Sequence, residues 1–565
     1  MTNPFQAAID EINSLLAAAY AGAAAAGELP GGITLSGTVE VPRDTKNGDF
    51  ACNHAMVSAR AMGKSPRAVA QSLAAHIETG GTFIGGVAVA GPGFINVTLS
   101  LGWYAAALSA AESGGETYGK TDFGGGERVM VEFVSANPTG PMTIGNARGG
   151  AIGDTLSNVL ALAGYDVSRE FYVNDAGNQV ELFGRSIDAR YMQIVLGEDA
   201  IEFPDNGYHG EDIRDLARAI YERDGDRYAP LPERERIAMF ISFGLPRNIA
   251  LMQEHLERYR IKFDTWFRES SLYESGAVAE TVDMLTREGL TYEKDGAVWL
   301  KNMELGAEKD EVLRRANGFY TYYASDIAYH RNKFHARGFD RVIDVWGADH
   351  HGHALRFQAT MACPAINISR ERLRFLIMQM VRLTRDGETI KVSKRTGRAL
   401  TLNDLMDEIS VDACRFFFNA KPDNHLEFDL GLAVRQDSEN PVYYVQYAHA
   451  RICSLIAALA AEGVSVPRCA QIDVSLLSSE AERELIAKLA ALPEEVRQSA
   501  KELDPSRINR YVLELAARFH KFYTACRIRG EERELLLARL KLADIARGVI
   551  QNCLKIIGVS APEKM

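Results

Sequence analysis

The sequence predicts an α/β protein built on a parallel sheet that an insertion interrupts, with an α/β module before it and an all-α helical bundle after it. Three observations predict this. Arg128 to Val134 is a short β-branched and apolar run, Ser135 to Gly145 is rich in Pro, Gly, Asn and Thr, and Asn146 to Leu162 repeats apolar residues at helical spacing. Gly164 can stop that helix in the left-handed conformation and Asp166 to Val173 reads as a second strand, so the unit is β-α-β. A further buried strand is predicted at Arg341 to Trp346 (RVIDVW), followed by the loop GADHHGH and a helix from Ala354 to about Ala362. Beyond Asn440 strand signals fade, and amphipathic patterns at 441–461, 480–501, 506–525 and 531–557 predict the bundle.

In chain order, residues 1–119 form a mixed α/β unit. Phe5 to Ala24 is an Ala-rich helix. GDFACNHAMVSARAMGKSPRAVAQSLAAHI supplies two more, and VAVAGPGFINVTLS gives two strand pieces around a Pro-Gly turn. Arg60, Lys64 and Arg67 near the helix junction read as a solvated basic face. The sheet unit spans 120–435, with charged helices and a break at Pro204 to Gly207 marking an insertion at about 185–299. Strands at 377–383 and 389–392 flank Arg385-Asp386-Gly387-Glu388, an Asp-Gly hairpin signal, and 436–565 is the helical domain.

Composition narrows the class. At roughly 100–200 residues per domain, 565 residues allow about three to five domains, and 47% hydrophobic with 24% charged residues is ordinary for a globular chain. No run of apolar residues is long enough for a membrane span, and MTNPFQAAIDEI lacks a basic region followed by an apolar one, so a cytoplasmic location is expected. The seven cysteines form no CxxC pair, which argues against a disulfide framework or a cysteine zinc site. A net charge of −12 leaves nucleic-acid binding to local clusters of Lys and Arg.

In an open parallel sheet, ligands sit beyond the carboxyl ends of the strands, where helix N-terminal N–H groups favour anions. The loop Asn137 to Gly145 lies at that place. It is neither GxGxxG nor GxxxxGK[ST]; instead Gly145, flanked by Thr143 and Asn146, lets a purine or ribose approach the backbone. A second signal is KVSKR at Lys391 to Arg395, three cations around Ser393, which suits a loop closing over a polyphosphate. The two stretches resemble the ATP-binding signatures of class I aminoacyl-tRNA synthetases, His-Ile-Gly-His and Lys-Met-Ser-Lys-Ser/Arg. In detail the chain is similar to arginyl-tRNA synthetases over nearly its whole length, in GDFACNHAM, VAGPGFINV, VEFVSANPTGP, GNARGGAIGD, FYVNDAGNQV, ESSLYESG, YYASDIAYH, VWGADHHGH, KVSKRTG, EFDLGLA and NPVYYVQYAHARICS.

The resemblance implies a Rossmann-type catalytic domain, an N-terminal module touching the tRNA elbow and a helical anticodon-binding domain. It also implies ATP with Mg²⁺, L-arginine and arginine tRNA as partners, a monomer, and amino-acid activation that requires bound tRNA. Gly145, Asn146, Gly347, Asp349, Lys391, Ser393 and Lys394 are the implied ATP contacts, with Thr143, Asn146, Lys391 and Lys394 serving catalysis.

For arginine itself, a carboxylate matches the guanidinium fork, and Tyr322 and Asp326 share one face of a helix by their spacing. Glu132, Ser135 and Asn137 are implied on the polar groups at the other end of the substrate, and His350 is the preferred further arginine contact. His350, His351 and His353 make poor zinc geometry, and no metal site is expected. Tyr443, Tyr444, Tyr447 and His449 are expected to pack the junction with the helical domain. Tyr511 and Phe519 serve either the core or base stacking, with the core the commoner use.

Thr143 stands where the signature has its first histidine. Read from the motif alone, its shorter hydroxyl donor weakens phosphate stabilisation, so Thr143→His should raise activation. Two rival readings follow: a synthetase-like tRNA-binding protein with weakened or lost catalysis, and a small-molecule adenylyl-transferring ligase of the same fold. The second of these would not need the long helical region.

Overall fold

Asn3 caps the first helix, α1 (Pro4–Ala25), accepting from the Phe5 and Gln6 amides, and Pro4 sits where a missing N–H costs nothing. This computed structural model describes residues 3–42, 44–385, 387–390, 400–420 and 422–565. α1 buries the stripe Ala8, Ile12, Leu16, Ala19 and Ala23. After it come β1 (Val39–Glu40), β2 (Phe50–Cys52), α2 (His54–Met62), α3 (Pro66–Ala75), β3 (Ile84–Ala90), β4 (Phe94–Leu99) and α4 (Leu101–Gly114). The strands pair antiparallel in the order β1-β2-β4-β3.

The parallel sheet begins with β5 (Arg128–Glu132), α5 (Ile144–Leu162) and β6 (Asp166–Val173), the expected β-α-β unit. Gly164 ends α5 with φ +95°, and a Cβ there would approach Thr121 O to 2.8 Å, so no other residue fits without strain. Next are α6 (Asn178–Leu196), α7 (Glu211–Asp224) and α8 (Glu233–Arg258), which form their own core around Phe183, Ile187, Tyr191 and Phe240. Then β7 (Thr265–Arg268) joins the sheet, pairing parallel with β6. The stretch expected as an insertion at 185–299 therefore contains a sheet strand. TWFR is only four residues long between charged neighbours, too short for a period to show.

After β7 come α9 (Ser270–Glu274), α10 (Ala277–Arg287), β8 (Thr291–Lys294), β9 (Ala297–Leu300) and β10 (Glu311–Arg314), the three strands making a small antiparallel sheet. α11 (Tyr322–Arg331) widens into a π-helical turn at Asn332–Ala336. β11 (Arg341–Gly347), α12 (His351–Met361) and β12 (Leu373–Met378) complete a five-stranded parallel sheet of order β12-β11-β5-β6-β7. The strand expected at 377–383 is divided: β12 ends at Met378, and β13 (Val381–Arg385) starts a second sheet with β14 (Glu388–Thr389) and β15 (Leu426–Asp429). α13 (Leu402–Glu408) and α14 (Val411–Phe418) precede β15, and α15 (Leu430–Ala433) follows it.

The helical region holds α16 (Pro441–Ala461), α17 (Glu480–Ala490), α18 (Leu492–Glu502), α19 (Ser506–Ala525) and α20 (Arg533–Ile557). The helix expected over 480–501 is two, because Pro493 lacks the N–H needed to continue α17 and fits only in the first turn of α18. Buried Arg415 joins this region to the sheet: Nε donates to Ile557 O at 2.8 Å, Nη1 to Tyr259 O at 3.1 Å, and Nη2 pairs with Asp154 of α5. Among the described residues, no helix is long and apolar enough to cross a membrane.

Candidate active site and a second aromatic surface

A cleft of about 1840 Å³ opens beyond the carboxyl ends of β5, β6 and β11. Its floor is the end of β5, where Val134 and Ser135 have φ of 70° and 39° and the Ser135 N–H donates to Phe133 O at 3.0 Å. A β-branched residue in that region is strained and persists only when its surroundings over-determine it. Here the Ser135 hydroxyl does so, donating to Glu132 Oε1 at 2.9 Å and accepting from the Tyr172 N–H at 3.2 Å. The tight turn brings Glu132, Ser135 and Asn137 to one wall of the cleft.

Thr143 starts α5 with a capping box. The Asn146 N–H donates to Thr143 Oγ1 at 3.4 Å, and Asn146 Oδ1 accepts from the Thr143 N–H at 2.8 Å and from its hydroxyl at 2.9 Å. The Thr143 hydroxyl expected near phosphate is thus turned to Asn146, where it orders the helix end. Beside it a Cβ on Gly145 would meet only Thr143 Oγ1, at 3.6 Å, so the backbone there lies open to the cleft. Met142 O accepts from the Leu402 N–H at 2.9 Å, and Thr401 opens α13 with a capping box of its own. The chain following the KVSKR stretch is thereby tied to the start of α5. Lys391, Ser393 and Lys394 lie outside the described residues.

At the other end of the cleft Tyr322 is exposed and Asp326 accepts from His353, Nε2 to Oδ2 at 3.1 Å. His350 lines the cleft but leans on Asp349 at 3.4 Å, so the imidazole on the Asp326 carboxylate is His353. α12 starts at His351, which turns His353 toward α11. Gly347 and Asp349 also line the cleft. Sequence reasoning missed Glu269. It follows β7 directly, is 7% exposed, and accepts from the Ser325 hydroxyl at 3.2 Å. Burial first, and the Asp326 charge second, push its carboxyl up to about 7. Recognising β7 as a strand would have placed Glu269 at a sheet's carboxyl end.

Beneath the cleft three acids stand at one register level: Asp344 of β11 pairs with Glu132 of β5, which pairs with Glu170 of β6. All three are buried. Like charges about 5 Å apart repel by about 3 kcal/mol per pair at an effective dielectric of about 20. α11 and its π turn answer with cations. Lys333 Nζ lies 2.5 Å from Glu132 Oε2 and 2.9 Å from Asp344 Oδ1, His330 Nε2 lies 2.8 Å from Asp344 Oδ2, and Arg337 binds Glu170 through both terminal nitrogens. Burial opposes charge on Lys333, but Asp344 and Glu132 outweigh it and raise its ammonium above the ordinary value. Burial likewise opposes ionisation of Asp344, yet Lys333 and His330 hold its carboxyl below the usual range. Glu132 is pushed up by burial, with Lys333 opposing.

A second surface lies on the helical region. Tyr443 and Tyr447 stack at 6.1 Å with 7° between planes, His520 stacks on Tyr447, and the Arg451 guanidinium lies 4.7 Å and 5.0 Å from the Tyr447 and Tyr523 rings. A depression of about 310 Å³ beside them is lined by Tyr447, Arg451, Tyr523, Arg529 and Met565. This corrects the expected junction role of Tyr443, Tyr444 and Tyr447: they turn toward α19 and solvent, while Gln446 binds Asp412 and Ser560 and His449 binds Pro562 O. Tyr511 and Phe519 are core residues, 1% and 0% exposed.

Comparison with known proteins identifies the class first: residues 113–434 match the model of the class I tRNA synthetase (R) catalytic domain. Residues 10–99 match the arginyl tRNA synthetase N terminal domain and 445–565 the DALR anticodon binding domain. The arginine--tRNA ligase of Acetivibrio thermocellus is 50% identical over all of both chains, and that of Caldanaerobacter subterraneus is 52% identical over 93% of each. In fold, the Thermus thermophilus arginyl-tRNA synthetase is similar with a TM-score of 0.75 at 20% identity, covering 99% of this chain and 100% of that one. The chain belongs to the arginyl-tRNA synthetase family, enzymes that ligate arginine to tRNA.

The raised Glu269 carboxyl predicts a pH-dependent stability. With its folded value raised to about 7 from 4.5, it contributes stability below about pH 4.5 that is lost as pH rises through 7. Glu269→Gln is therefore expected to be more stable than wild type at pH 8, by on the order of 3 kcal/mol, and to differ little at pH 4.5. Thermal midpoints of both proteins across that range check it, and equal midpoints at pH 8 would remove the raised carboxyl from consideration.

Proposed function

We propose that the cleft activates arginine with Asp326 and Glu269 holding the guanidinium, Tyr322 covering it, and Glu132, Ser135 and Asn137 receiving the α-ammonium end. One observation carries this. The buried acids Glu132, Asp344, Glu170 and Asp154 each pair with a Lys or Arg, whereas among the described residues no Lys or Arg pairs with Glu269 or Asp326. Two carboxylates in a cleft without a fixed cation present a planar acceptor set for a cation from outside. A lysine substrate, a point charge, would leave part of that set unpaired.

ATP is assigned to the opposite end, with adenosine over Gly145, Gly347 and Asp349 and phosphates at the start of α5. The arginine carboxylate attacks the α-phosphorus in line and pyrophosphate leaves. The chain contributes position and charge: the N–H groups of α5 held in place by the Thr143–Asn146 box, and, by motif, Lys391, Ser393 and Lys394 on the phosphates. Mg²⁺ enters with ATP as part of that substrate. A ribose hydroxyl of the terminal adenosine of tRNA then attacks the arginyl-adenylate carbonyl and AMP leaves. His350 stands at the cleft wall near the adenylate. Activation requires bound tRNA, and the enzyme works as a cytoplasmic monomer whose units are 1–119, 120–435 and 436–565. The stacked rings of Tyr443, Tyr447 and His520 with Arg451 are assigned to unstacked anticodon bases, since an aromatic face beside a guanidinium takes any base.

Three measurements test these assignments. Asp326→Asn removes half of the acceptor set, and losing one desolvated charge pair costs on the order of 2–5 kcal/mol; arginine-dependent pyrophosphate exchange in the presence of tRNA should fall at least tenfold, and wild-type exchange would sink the guanidinium site. Tyr447→Ala should weaken tRNA binding by about 1–3 kcal/mol while the arginine KM is unchanged, because stacking on one base contributes that much; equal tRNA affinity would move the anticodon elsewhere. Thr143→Ala, which loses the cap, should lower activation and destabilise the helix by about 1 kcal/mol, whereas Thr143→Ser retains both. On the same grounds Thr143→His, favoured by the motif alone, is expected to lower activation, and a faster rate would show that the cap is dispensable.

A further inference from the structure

Resting on the assignment of Glu132 to the α-ammonium of arginine, we propose that Lys333 is a positioning residue for that contact: clamped between Glu132 and Asp344, its ammonium fixes the Glu132 carboxylate toward the cleft. Glu132 has two acceptor oxygens and both are spoken for from below and beside. Ser135 donates to Oε1 at 2.9 Å and Lys333 to Oε2 at 2.5 Å, which leaves their remaining lone pairs for a substrate. Lys333 has no freedom of its own. It is 0% exposed, Asp344 Oδ1 accepts from it at 2.9 Å, and its ammonium lies 4.1 Å over the Tyr329 ring.

The lysine is delivered by a π-helical turn, Asn332–Ala336, a departure from α-helix that recurs at functional sites. The same helix carries Asp326 about two turns earlier, at the guanidinium end. One rigid element thereby sets both ends of the substrate. The groups facing Glu132 are Asp344 on β11, Glu170 and Tyr172 on β6, Tyr329 and His330 on α11, and Lys333 and Arg337 from the turn onward. Arg337 is spent on Glu170, and His330 on Asp344. Lys333 alone donates to Glu132 from among these cations.

The test uses the full chain with its tRNA and reads the KM values of pyrophosphate exchange between about pH 6.5 and 8.5. Lys333→Met removes the ammonium. Because that leaves two facing carboxylates, Lys333→Met/Asp344→Asn is made beside it, removing one charge of each sign from the core. The folded variant is expected to raise the arginine KM about tenfold or more at pH 7 while the KM for ATP stays within about twofold. The arginine penalty should shrink as pH rises, since Glu132 without its cation keeps a proton that higher pH removes. Arginine and ATP KM values that rise together with no pH trend would overturn the proposal and leave Lys333 a packing residue. Glu132→Gln separates the proposal from its premise. A wild-type arginine KM there removes the assignment of Glu132 itself, whereas a raised KM there beside an unchanged one in the charge-balanced double variant overturns the role of Lys333.

Discussion

The row Asp344, Glu132 and Glu170 is the constraint on which the cleft depends. Parallel strands in register place like side chains about 5 Å apart, and three anions so spaced in a buried layer cannot persist without cations packed against them. Lys333, Arg337 and His330 come from one helix, its π turn and the residue that ends it, so α11 is bound to the sheet by charge as well as by Tyr323, Ile327 and Phe334 in the core beneath it. That anchoring fixes the face of α11 that carries Tyr322 and Asp326. Breaking a buried pair by removing one partner typically costs about 3–5 kcal/mol, so neither side of the row is free to change alone.

α5 is anchored in a corresponding way at the other end of the cleft. Its start is squared off by the Thr143 capping box, one turn later Arg148 donates to Gln379 O at 2.6 Å and Asn424 O at 3.0 Å, and farther along Asp154 meets Arg415 and Arg169 while Asn158 donates to Ile556 O at 2.9 Å. α5 thus touches the second sheet, α14 and the end of α20. Its small residues permit this closeness: a Cβ at Gly153 would fall 2.2 Å from the Phe133 ring, so the sheet packs against bare backbone there. Buried polar contacts thus run from the helical region to the helix that opens on the cleft.

Much of this is legible in the residues because it rests on local chemistry. The β-α-β unit shows in a change of period from strand to helix, closed by Gly164, and Tyr322 with Asp326 shows in a spacing of four. Other features depend on pairings that no local window contains. β7 is four residues long, so Glu269 at its end was hidden with it. Lys333 and Arg337 occur in HRNKFHARGF, which reads as a charged helix surface until the sheet's acids are known to face it. His353 rather than His350 reaches Asp326 because α12 begins at His351, and a shift of that start by one residue would turn a different side of the helix toward α11. Tyr511 and Tyr447 have the same composition signal, and only the packing of α19 against α17 buries one while leaving the other beside Arg451.

Under the proposed assignment, the two acidic ends of the cleft differ in the groups that face them. Glu132 carries its own cation, and Lys333 and Ser135 hold its two oxygens in place, so under the proposed assignment a substrate would add a hydrogen bond to a group already oriented. Asp326 and Glu269 have a histidine and a serine hydroxyl but, among the described residues, no Lys or Arg, and burial with the Asp326 charge pushes the Glu269 carboxyl up to about 7. Under the proposal, an entering guanidinium would offset the repulsion between the two acids. A neutral side chain of the same length would leave the pair as it was, and an ammonium would satisfy a single point rather than a plane. On that reading selectivity lies where the protein has withheld a counter-charge, and grip on the features common to all amino acids where it has supplied one.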